Sequence, residues 1–166
     1  HYTFTDIFAP ESKELEKSAK RYYAEIMMPF RMMCKKYTKM IKEMNVDMIL
    51  PSHGPVHKNP NYILDLYTDW TSDTPKNLVA LPYVSMYEST KEMIDYLSNK
   101  LEAKGIKTFK FDIVDDDLGD LAMALVDAAT IVMGTSMVLA GPHPMTVNVA
   151  YLAAVLRPKA KFASLL

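Results

Sequence analysis

Apolar residues are spaced as in helices over the first part of the chain, up to about residue 70. The clearest stripe recurs every three or four positions and consists of Met33, Tyr37, Met40, Ile41 and Met44. Pro29 lacks a backbone N–H and its ring clashes with the preceding turn, so it should break or kink this stretch near Met28. The pattern therefore predicts two helices, over about residues 12–28 and 30–44.

The next stretch predicts a short strand, a short helix and a linker. Val46–Leu50 is a strand candidate, and Pro60 suits the first turn of a helix over 60–70. Residues 71–76 contain Ser, Asp, Thr and Pro but no apolar side chain, which is typical of a linker. We therefore expect the following division of the chain: a first domain over 1–72, a linker over 73–77 and a second domain over 78–166.

Beyond the linker, short apolar runs alternate with helical stretches. The predicted strands are Leu78–Val84, Lys107–Ile113, Thr130–Met133 and Lys161–Leu166. The predicted helices are Thr90–Lys104, which Gly105 should end, Asp117–Asp127 and Met145–Leu156. The mainly apolar segment Thr130–Met133 is typical of a central strand in a parallel sheet. This alternation predicts an α/β fold with a doubly wound parallel sheet.

Composition narrows the class of protein. Of 166 residues, 49% are apolar and 23% are charged, as in globular proteins. The net charge of −1 gives no indication of nucleic-acid binding, and no apolar run reaches the ~18 residues of a membrane span. The single cysteine, Cys34, suits a reducing cytoplasm. The sequence begins at His1 and stops within an apolar run at Leu166, so we expect it to be part of a longer protein.

The first candidate site is the loop after the first predicted strand. In the flavodoxin-type strand order 2-1-3-4-5, ligands bind at the carboxyl ends of strands 1 and 3. A loop there runs directly into a helix, with the sequence Ser85-Met86-Tyr87-Glu88-Ser89-Thr90. Hydroxyls, backbone N–H groups and a helix N-terminus together suit a phosphate, although Glu88 would repel one unless it faces solvent. The alternative is an ordinary helix cap.

The second candidate is the loop after the third predicted strand, Gly134–Pro144. It is long for a strand–helix connection and could offer backbone groups and an apolar wall to a flat ring. The alternative is a surface loop held by its two prolines, and the residues alone leave both open. His143, between those prolines, is expected to be structural.

A third candidate is a metal ligand. His53 follows the predicted strand in the rigid sequence Pro51-Ser52-His53-Gly54-Pro55, and Asp6 is a weaker oxygen donor. By spacing alone an ordinary loop histidine is the favoured reading of His53, and neither His57 nor His1 has supporting context. No closely spaced pair of histidines occurs, so a complete metal site cannot be built from this sequence.

Several segments resemble the flavodiiron proteins, also called A-type flavoproteins. The segments are residues 21–30 (RYYAEIMMPF), the loop 51–55 followed by a helix ending at Trp70, and residues 83–90 (YVSMYEST). The last segment is similar to the family's FMN phosphate loop. The resemblance extends over nearly the whole chain, and its specificity comes from the three segments occurring together.

The resemblance implies a fold and an activity. The chain would be the C-terminal part of a metallo-β-lactamase-like di-iron domain followed by a truncated flavodoxin-like FMN domain. Such proteins pass electrons from a reduced donor, either a deazaflavin coenzyme or a rubredoxin-like protein, through FMN to two irons. There they reduce oxygen to water, or nitric oxide to nitrous oxide, as cytoplasmic head-to-tail homodimers. The sequence looks most similar to the deazaflavin coenzyme oxidases of methanogens, and the fragment alone is expected to be inactive.

The resemblance also assigns site residues. His53 matches the family's last iron-ligand histidine, and Asp6 matches a bridging aspartate that follows Phe4-Thr5. The phosphate loop corresponds to Ser85, Met86, Tyr87, Glu88, Ser89 and Thr90. The second flavin loop corresponds to Thr135, Ser136, Met137, Val138, Leu139, Ala140 and Gly141. Leu139 and Ala140 stand where the family commonly has asparagines.

Two other functions remain open at this point. One is a flavin-binding electron-transfer module without metal catalysis, and the other is a non-catalytic protein that keeps the folds for association. Flavin without iron would favour the first, and neither cofactor would favour the second.

Overall fold

The computed structural model describes residues 7–166, which divide into two compact units with the boundary between Ser72 and Asp73. Asp6, one of the metal-ligand candidates, lies outside the described residues. Each unit is considered by itself below.

The N-terminal unit contains three α-helices, α1 (Lys13–Tyr22), α2 (Arg31–Met44) and α3 (Pro60–Trp70). The predicted interruption between α1 and α2 is confirmed, but it is a segment of several residues and not a local kink. It consists of a π-helical turn over Tyr23–Met27 and a 3-10 turn over Met28–Phe30. The N–H of Met28 donates to the carbonyl of Tyr23, five residues earlier, so the chain widens before it reaches Pro29.

The apolar stripe of α2 does not face the core of this unit. Cys34 and Thr38 are the buried residues of α2, on a neighbouring face. The stripe residues Met33, Tyr37, Met40 and Met44 are instead exposed. The helix was therefore correctly predicted from its spacing, although its buried face is a different one.

Aromatic packing forms the interior of the N-terminal unit. Tyr23, Tyr67 and Trp70 pack together, with ring centroids 5.2 to 5.7 Å apart. Burial of these rings raises the pKa of Tyr67 to about 12. Trp70 is the only tryptophan in the sequence and is 2% exposed, so its fluorescence reports unfolding of this unit.

The strand predicted over Val46–Leu50 is wrong. Only Ile49 pairs there, in an isolated antiparallel bridge to His57. The N–H of Ile49 donates to the His57 carbonyl at 3.0 Å, and the N–H of His57 donates to the Ile49 carbonyl at 2.9 Å. The apolar run predicted a strand, but the loop between the two residues brings only this one pair opposite each other.

This bridge leads to a prediction about acid stability. Burial lowers the pKa of His57 below its ordinary value of 6.5. Below about pH 6.5 the unfolded chain therefore binds more protons at this histidine than the folded chain does. The free energy of unfolding is highest above that pH and decreases as the pH falls towards the pKa of His57 in the folded protein. The midpoint of urea unfolding is measured by Trp70 fluorescence. Between pH 6.5 and 5 this midpoint should fall less in H57Q than in the wild type.

The matched control is H53Q, at an exposed position of the neighbouring loop. Its urea midpoint should fall with acid as in the wild type. A decline of the same size in H57Q and in the wild type would contradict the assignment of this acid sensitivity to His57.

The C-terminal unit is an α/β unit with a four-stranded parallel sheet, as predicted. The strands of the sheet are β1 (Lys76–Tyr83), β2 (Lys107–Asp112), β3 (Ala128–Met133) and β6 (Phe162–Leu165). The helices are α4 (Ser89–Glu102), α5 (Leu118–Leu125) and α6 (Pro144–Leu156). Two further two-residue strands form a separate hairpin, β4 (Met137–Val138) and β5 (Gly141–Pro142).

The strand order is β2-β1-β3-β6, so the two central strands are β1 and β3. β1 begins at Lys76, two residues before the predicted start, which shortens the predicted linker. Its core is formed by Val79, Leu81 and Tyr83, which are buried together with Ile94 of α4. The chain reverses its direction of winding between β1 and β3, and a ligand crevice is expected at their carboxyl ends. No helix in residues 7–166 is long and apolar enough to cross a membrane.

Candidate functional site

The two predicted loops lie side by side at the carboxyl edge of the sheet. The N–H of Val84 donates to the Gly134 carbonyl at 3.0 Å, and the N–H of Gly134 donates to the Pro82 carbonyl at 2.9 Å. The last residues of β1 and the first residue after β3 are therefore fixed to each other. The loop after β1 and the loop after β3 therefore begin next to each other.

The first loop contains backbone N–H groups that lack a hydrogen-bond acceptor in the described part of the chain. The N–H groups of Tyr87, Glu88 and Thr90 have no acceptor among residues 7–166. Such groups at the start of a helix are a ready site for an anion. The capping alternative is partly realised by Ser85, whose Oγ accepts from the N–H of Lys91 at 3.3 Å. Capping by this one hydroxyl leaves the other donors available.

Glu88 adopts a left-handed backbone conformation, with φ of 62°, and its side chain is exposed. Its carboxylate lies 3.1 Å from the ammonium group of Lys91. The hydrogen bond between them raises the pKa of Lys91. The carboxylate that could have repelled a phosphate thus faces solvent and has its charge balanced by a neighbouring lysine.

Ser136 connects the second loop to the first. Its Oγ donates to the Val84 carbonyl at 3.1 Å and accepts from the N–H of Met86 at 3.2 Å. The hydroxyl of Thr90, which is 7% exposed, lies 3.4 Å from the same oxygen. A residue 50 positions further along the chain than Met86 therefore fixes the shape of the loop before α4. Nothing in the sequence near Ser136 indicates this contact.

A second hydrogen-bond network holds the base of the second loop. The hydroxyl of Thr135 accepts from the N–H of His143 at 3.2 Å and from the hydroxyl of Thr146 at 3.0 Å. The Nδ1 atom of His143 accepts from the N–H of Met145 at 3.2 Å and so caps α6. His143 has the structural role that was expected of it.

The middle of the second loop is an ordered hairpin, and this was not predicted. Met137 pairs with Pro142 and Val138 with Gly141. The connecting residues Leu139 and Ala140 both have positive φ, of 49° and 63°. Two such residues in a two-residue hairpin are the signature of a type I′ turn, which favours Asn and Gly.

The turn is strained by the residues that it contains. Asparagine and glycine adopt a left-handed backbone readily, whereas Leu139 and Ala140 adopt it only at an energetic cost. The conformation costs on the order of 1 kcal/mol at each residue. The hairpin was missed because its sequence carries none of the turn residues by which type I′ turns are recognised.

Gly134 allows the sheet to approach the start of α4. A Cβ atom at this position would lie 3.0 Å from the Ile94 Cγ1, Thr90 Cγ2 and Tyr83 Cβ atoms. Real Cβ atoms almost never come closer than this to their neighbours. Glycine at this position therefore permits the close packing of β1, Gly134 and the start of α4, which a Cβ atom would push apart. A glycine at the end of a strand often marks such an approach, which is the signal that could have identified it.

The donor set at this edge fits the phosphate of a flavin mononucleotide. It combines three unpaired backbone N–H groups, the start of a helix of 14 residues and the hydroxyl of the exposed Ser89. Neutral donors of this kind bind a phosphate without a positive side chain. The edge of the hairpin is predominantly apolar, as the face of a flat ring requires.

An iron site cannot be assembled from the described residues. His53 is exposed, and its ring lies 6.1 Å from that of Tyr22. No group of three or more His, Cys, Asp or Glu side chains in residues 7–166 is arranged to hold a metal ion. His53 is available as a single ligand, and Asp6 stays a prediction because it lies outside those residues. His57, in contrast, is buried and forms the backbone bridge described above.

Comparison with known proteins gives a consistent picture. The chain is 31% identical over 120 residues to a nitric oxide reductase of Moorella thermoacetica, covering 70% of this chain and 30% of that protein. It is 24% identical over 134 residues to a coenzyme F420H2 oxidase of Methanothermobacter marburgensis, covering 78% and 33%. No protein-family model matches.

Two solved structures have the same fold as this chain. A rubredoxin oxygen:oxidoreductase from Desulfovibrio gigas superposes with a TM-score of 0.88 at 20% identity, covering 98% of this chain and 42% of that one. The flavodiiron protein from Giardia intestinalis gives 0.83 at 19% identity, covering 94% and 39%. The chain belongs to the flavodiiron protein family. The predicted resemblance is confirmed, and the named relatives are oxidoreductases.

This flavodiiron chain spans about a third of the length of the curated relatives that it matches.

Proposed function

We propose that this chain supplies the FMN half of a flavodiiron oxidoreductase. In this proposal, residues 78–166 are a truncated flavodoxin-like FMN domain, and residues 1–72 are the C-terminal part of a metallo-β-lactamase-like di-iron domain. The observation that carries the proposal is the junction of the two loops, where Ser136 is hydrogen-bonded to Met86 and Val84 beside the start of α4.

The phosphate of FMN would be held by the first loop. The N–H groups of Tyr87, Glu88 and Thr90 and the hydroxyl of Ser89 can donate to it, because none of these backbone groups has an acceptor among the described residues. Met86 forms part of the same loop, and Ser85 fixes the first turn of α4. FMN, when bound, accepts and passes on electrons, while the protein's part is to bind and orient it.

The second loop would lie along the ring. Thr135 and Ser136 hold the base of the hairpin, and the hairpin itself presents Met137, Val138, Leu139, Ala140 and Gly141. The backbone of this hairpin is held by its own strand pairing and by hydrogen bonds at its base, so little ordering would be needed on binding.

In the whole protein, electrons would pass from a reduced donor through FMN to two irons, where oxygen is reduced to water or nitric oxide to nitrous oxide. The named relatives support both acceptors, since one is an F420H2 oxidase and another a nitric oxide reductase. The donor would be a deazaflavin coenzyme or a rubredoxin-like protein. We further propose a cytoplasmic head-to-tail homodimer.

For the irons, this chain would contribute His53 and Asp6. The described residues do not by themselves form the site. An electron-transfer module with FMN and no iron is the second candidate, supported by the unpaired N–H groups of the first loop, which suit a phosphate without any metal.

Absorption spectroscopy and an iron assay on the full-length parent protein separate these functions. The proposal predicts flavin absorption bands together with about two irons per chain, and an H53A variant that loses iron but keeps flavin. Flavin without iron in the wild type would leave the electron-transfer module. A protein that takes up neither cofactor would contradict both.

A further inference from the structure

A small cavity in the N-terminal unit takes no part in the proposed flavin site. It has a volume of about 140 Å³ and lies between the segment that begins α1 and the segment that leads into α3. A single water molecule needs only roughly 10–15 Å³ of such space. The cavity therefore has room for a ligand of several heavy atoms.

His57 lines this cavity, and its side chain has no partner in the described part of the chain. The residue is 8% exposed, and its backbone forms the bridge to Ile49. Its imidazole forms no hydrogen bond with any of residues 7–166. Buried polar side chains normally have a hydrogen-bond partner. The imidazole is therefore available to a group bound in the cavity.

The start of α3 borders the same cavity and is not capped. Asn59 occupies the position from which an asparagine usually caps a helix, but its amide donates to the Glu11 carboxylate at 2.8 Å instead. Pro60 has no N–H, and the N–H groups of Asn61 and Tyr62 have no acceptor within residues 7–166. Asn59 and Tyr62 both line the cavity. An uncapped start of an 11-residue helix favours an anion there.

Two side chains of opposite charge complete the wall. The ammonium group of Lys58 lies 3.7 Å from the centre of the Phe8 ring and has no carboxylate partner among residues 7–166. Glu11 carries a negative charge that Lys58 balances. The sign of the preferred ligand is then decided by the helix start and by the imidazole, both of which can donate hydrogen bonds.

We propose that this cavity binds a small oxyanion of the phosphate type, held by the first turn of α3, the imidazole of His57 and the ammonium group of Lys58. The ligand would be either the free ion or the phosphate group of a larger compound. The site is separate from the proposed flavin site, because all of these residues belong to the N-terminal unit.

Nuclear magnetic resonance of the histidine side chains tests this proposal on the whole chain. Inorganic phosphate is added at constant ionic strength, sodium chloride is the reference salt, and the His57 signal is assigned by its loss in H57Q. Phosphate should shift the His57 signal in a saturable way, and chloride should not. The signals of His53, which is exposed, and of His143, in the C-terminal unit, should not follow the same curve.

Two substitutions at exposed residues of the wall should change the phosphate affinity in opposite directions. K58Q removes the positive charge and should weaken binding about three- to fivefold, as expected for an exposed ion pair. E11Q removes the negative charge, keeps an oxygen to which Asn59 can donate, and should tighten binding by about the same factor. K36Q is the matched control, because Lys36 is an exposed lysine of α2 that does not line the cavity.

A second titration, with glycerol phosphate, separates the two sources of the ligand. A saturable shift of His57 with both compounds would support the phosphate group of a larger compound, and a shift with inorganic phosphate alone would support the free ion. The proposal would be overturned by the absence of a saturable His57 shift with either compound, or by an equal shift of all histidine signals. Equal phosphate affinities of the wild type, K58Q and E11Q would also overturn it.

Discussion

Replacing Ser89 with aspartate will weaken FMN binding at least about 100-fold without unfolding the C-terminal unit. Ser89 is the exposed first residue of α4. Two unit charges about 5 Å apart at an effective dielectric constant of about 20 repel each other by about 3 kcal/mol. That energy corresponds to a factor of about 100 in affinity for a phosphate bound at this position. Calorimetric titration of the variant with FMN measures it.

The same substitution should leave the ligand-free fold as stable as before, or slightly more stable. An acidic side chain in the first turn interacts favourably with the helix dipole, by about 0.3–1 kcal/mol. S89A removes the hydroxyl without adding charge and should weaken FMN binding much less than S89D. Riboflavin affinity should be the same in S89D and the wild type, and a parallel loss for riboflavin would show that the substitution acts on the fold and not on the phosphate.

Replacing Gly134 with alanine will damage both the fold and the flavin site. The added Cβ would lie 3.0 Å from atoms of Tyr83, Thr90 and Ile94, which belong to β1 and α4. Overpacking of this kind typically costs about 1–3 kcal/mol. Because the strain is relieved by moving the start of α4, we also expect FMN affinity to fall at least about tenfold.

Hydrogen exchange of the ligand-free protein measures the stability effect on β1 and β3, and titration with FMN measures the affinity. G141A is the matched control for stability, because its Cβ would meet only the Val138 carbonyl oxygen, at an ordinary distance of 3.8 Å. The two alanine variants should therefore differ clearly in exchange rate. Equal exchange in G134A and the wild type would contradict the role given to this glycine.

The architecture of the C-terminal unit could be predicted from the sequence because its signals are local. The mainly apolar run at Thr130–Met133 indicated a central strand, and β3 does lie between β1 and β6. Gly105, with φ of 74°, lies close to the end of α4, although the helix ends at Glu102 and not at the predicted Lys104. Alternation of such elements restricts the topology to a parallel sheet, which in turn places the two loops at one edge.

Contacts between distant residues could not be predicted in this way. The hydrogen bond from Ser136 to Val84 joins residues 52 positions apart, and neither neighbourhood indicates it. The turn at Leu139 was missed because leucine and alanine rarely adopt the left-handed backbone conformation that Leu139 and Ala140 have there. Disagreement between local sequence and structure is expected at functional positions, where binding can compensate for lost stability.

Packing direction was the other source of error. The apolar stripe correctly predicted that α2 is a helix. The buried residues of this helix, however, are Cys34 and Thr38, whereas Met33 and Met44 of the stripe are exposed. Periodicity shows that a helix has an apolar face and does not show which neighbour covers it. Val46–Leu50 failed for a related reason, since an apolar run forms a strand only where a partner of matching length lies beside it.

The central claim is that the loop before α4 binds the phosphate of FMN, and titration of the wild-type chain with FMN and with riboflavin tests it most directly. Two or three hydrogen bonds to a charged phosphate, at about 1.5–3 kcal/mol each, predict that FMN binds at least about 100-fold more tightly than riboflavin. Trp70 fluorescence and circular dichroism would confirm that the chain is folded in the same samples. Equal affinities for the two ligands, or no binding of FMN by the folded chain, would contradict the claim.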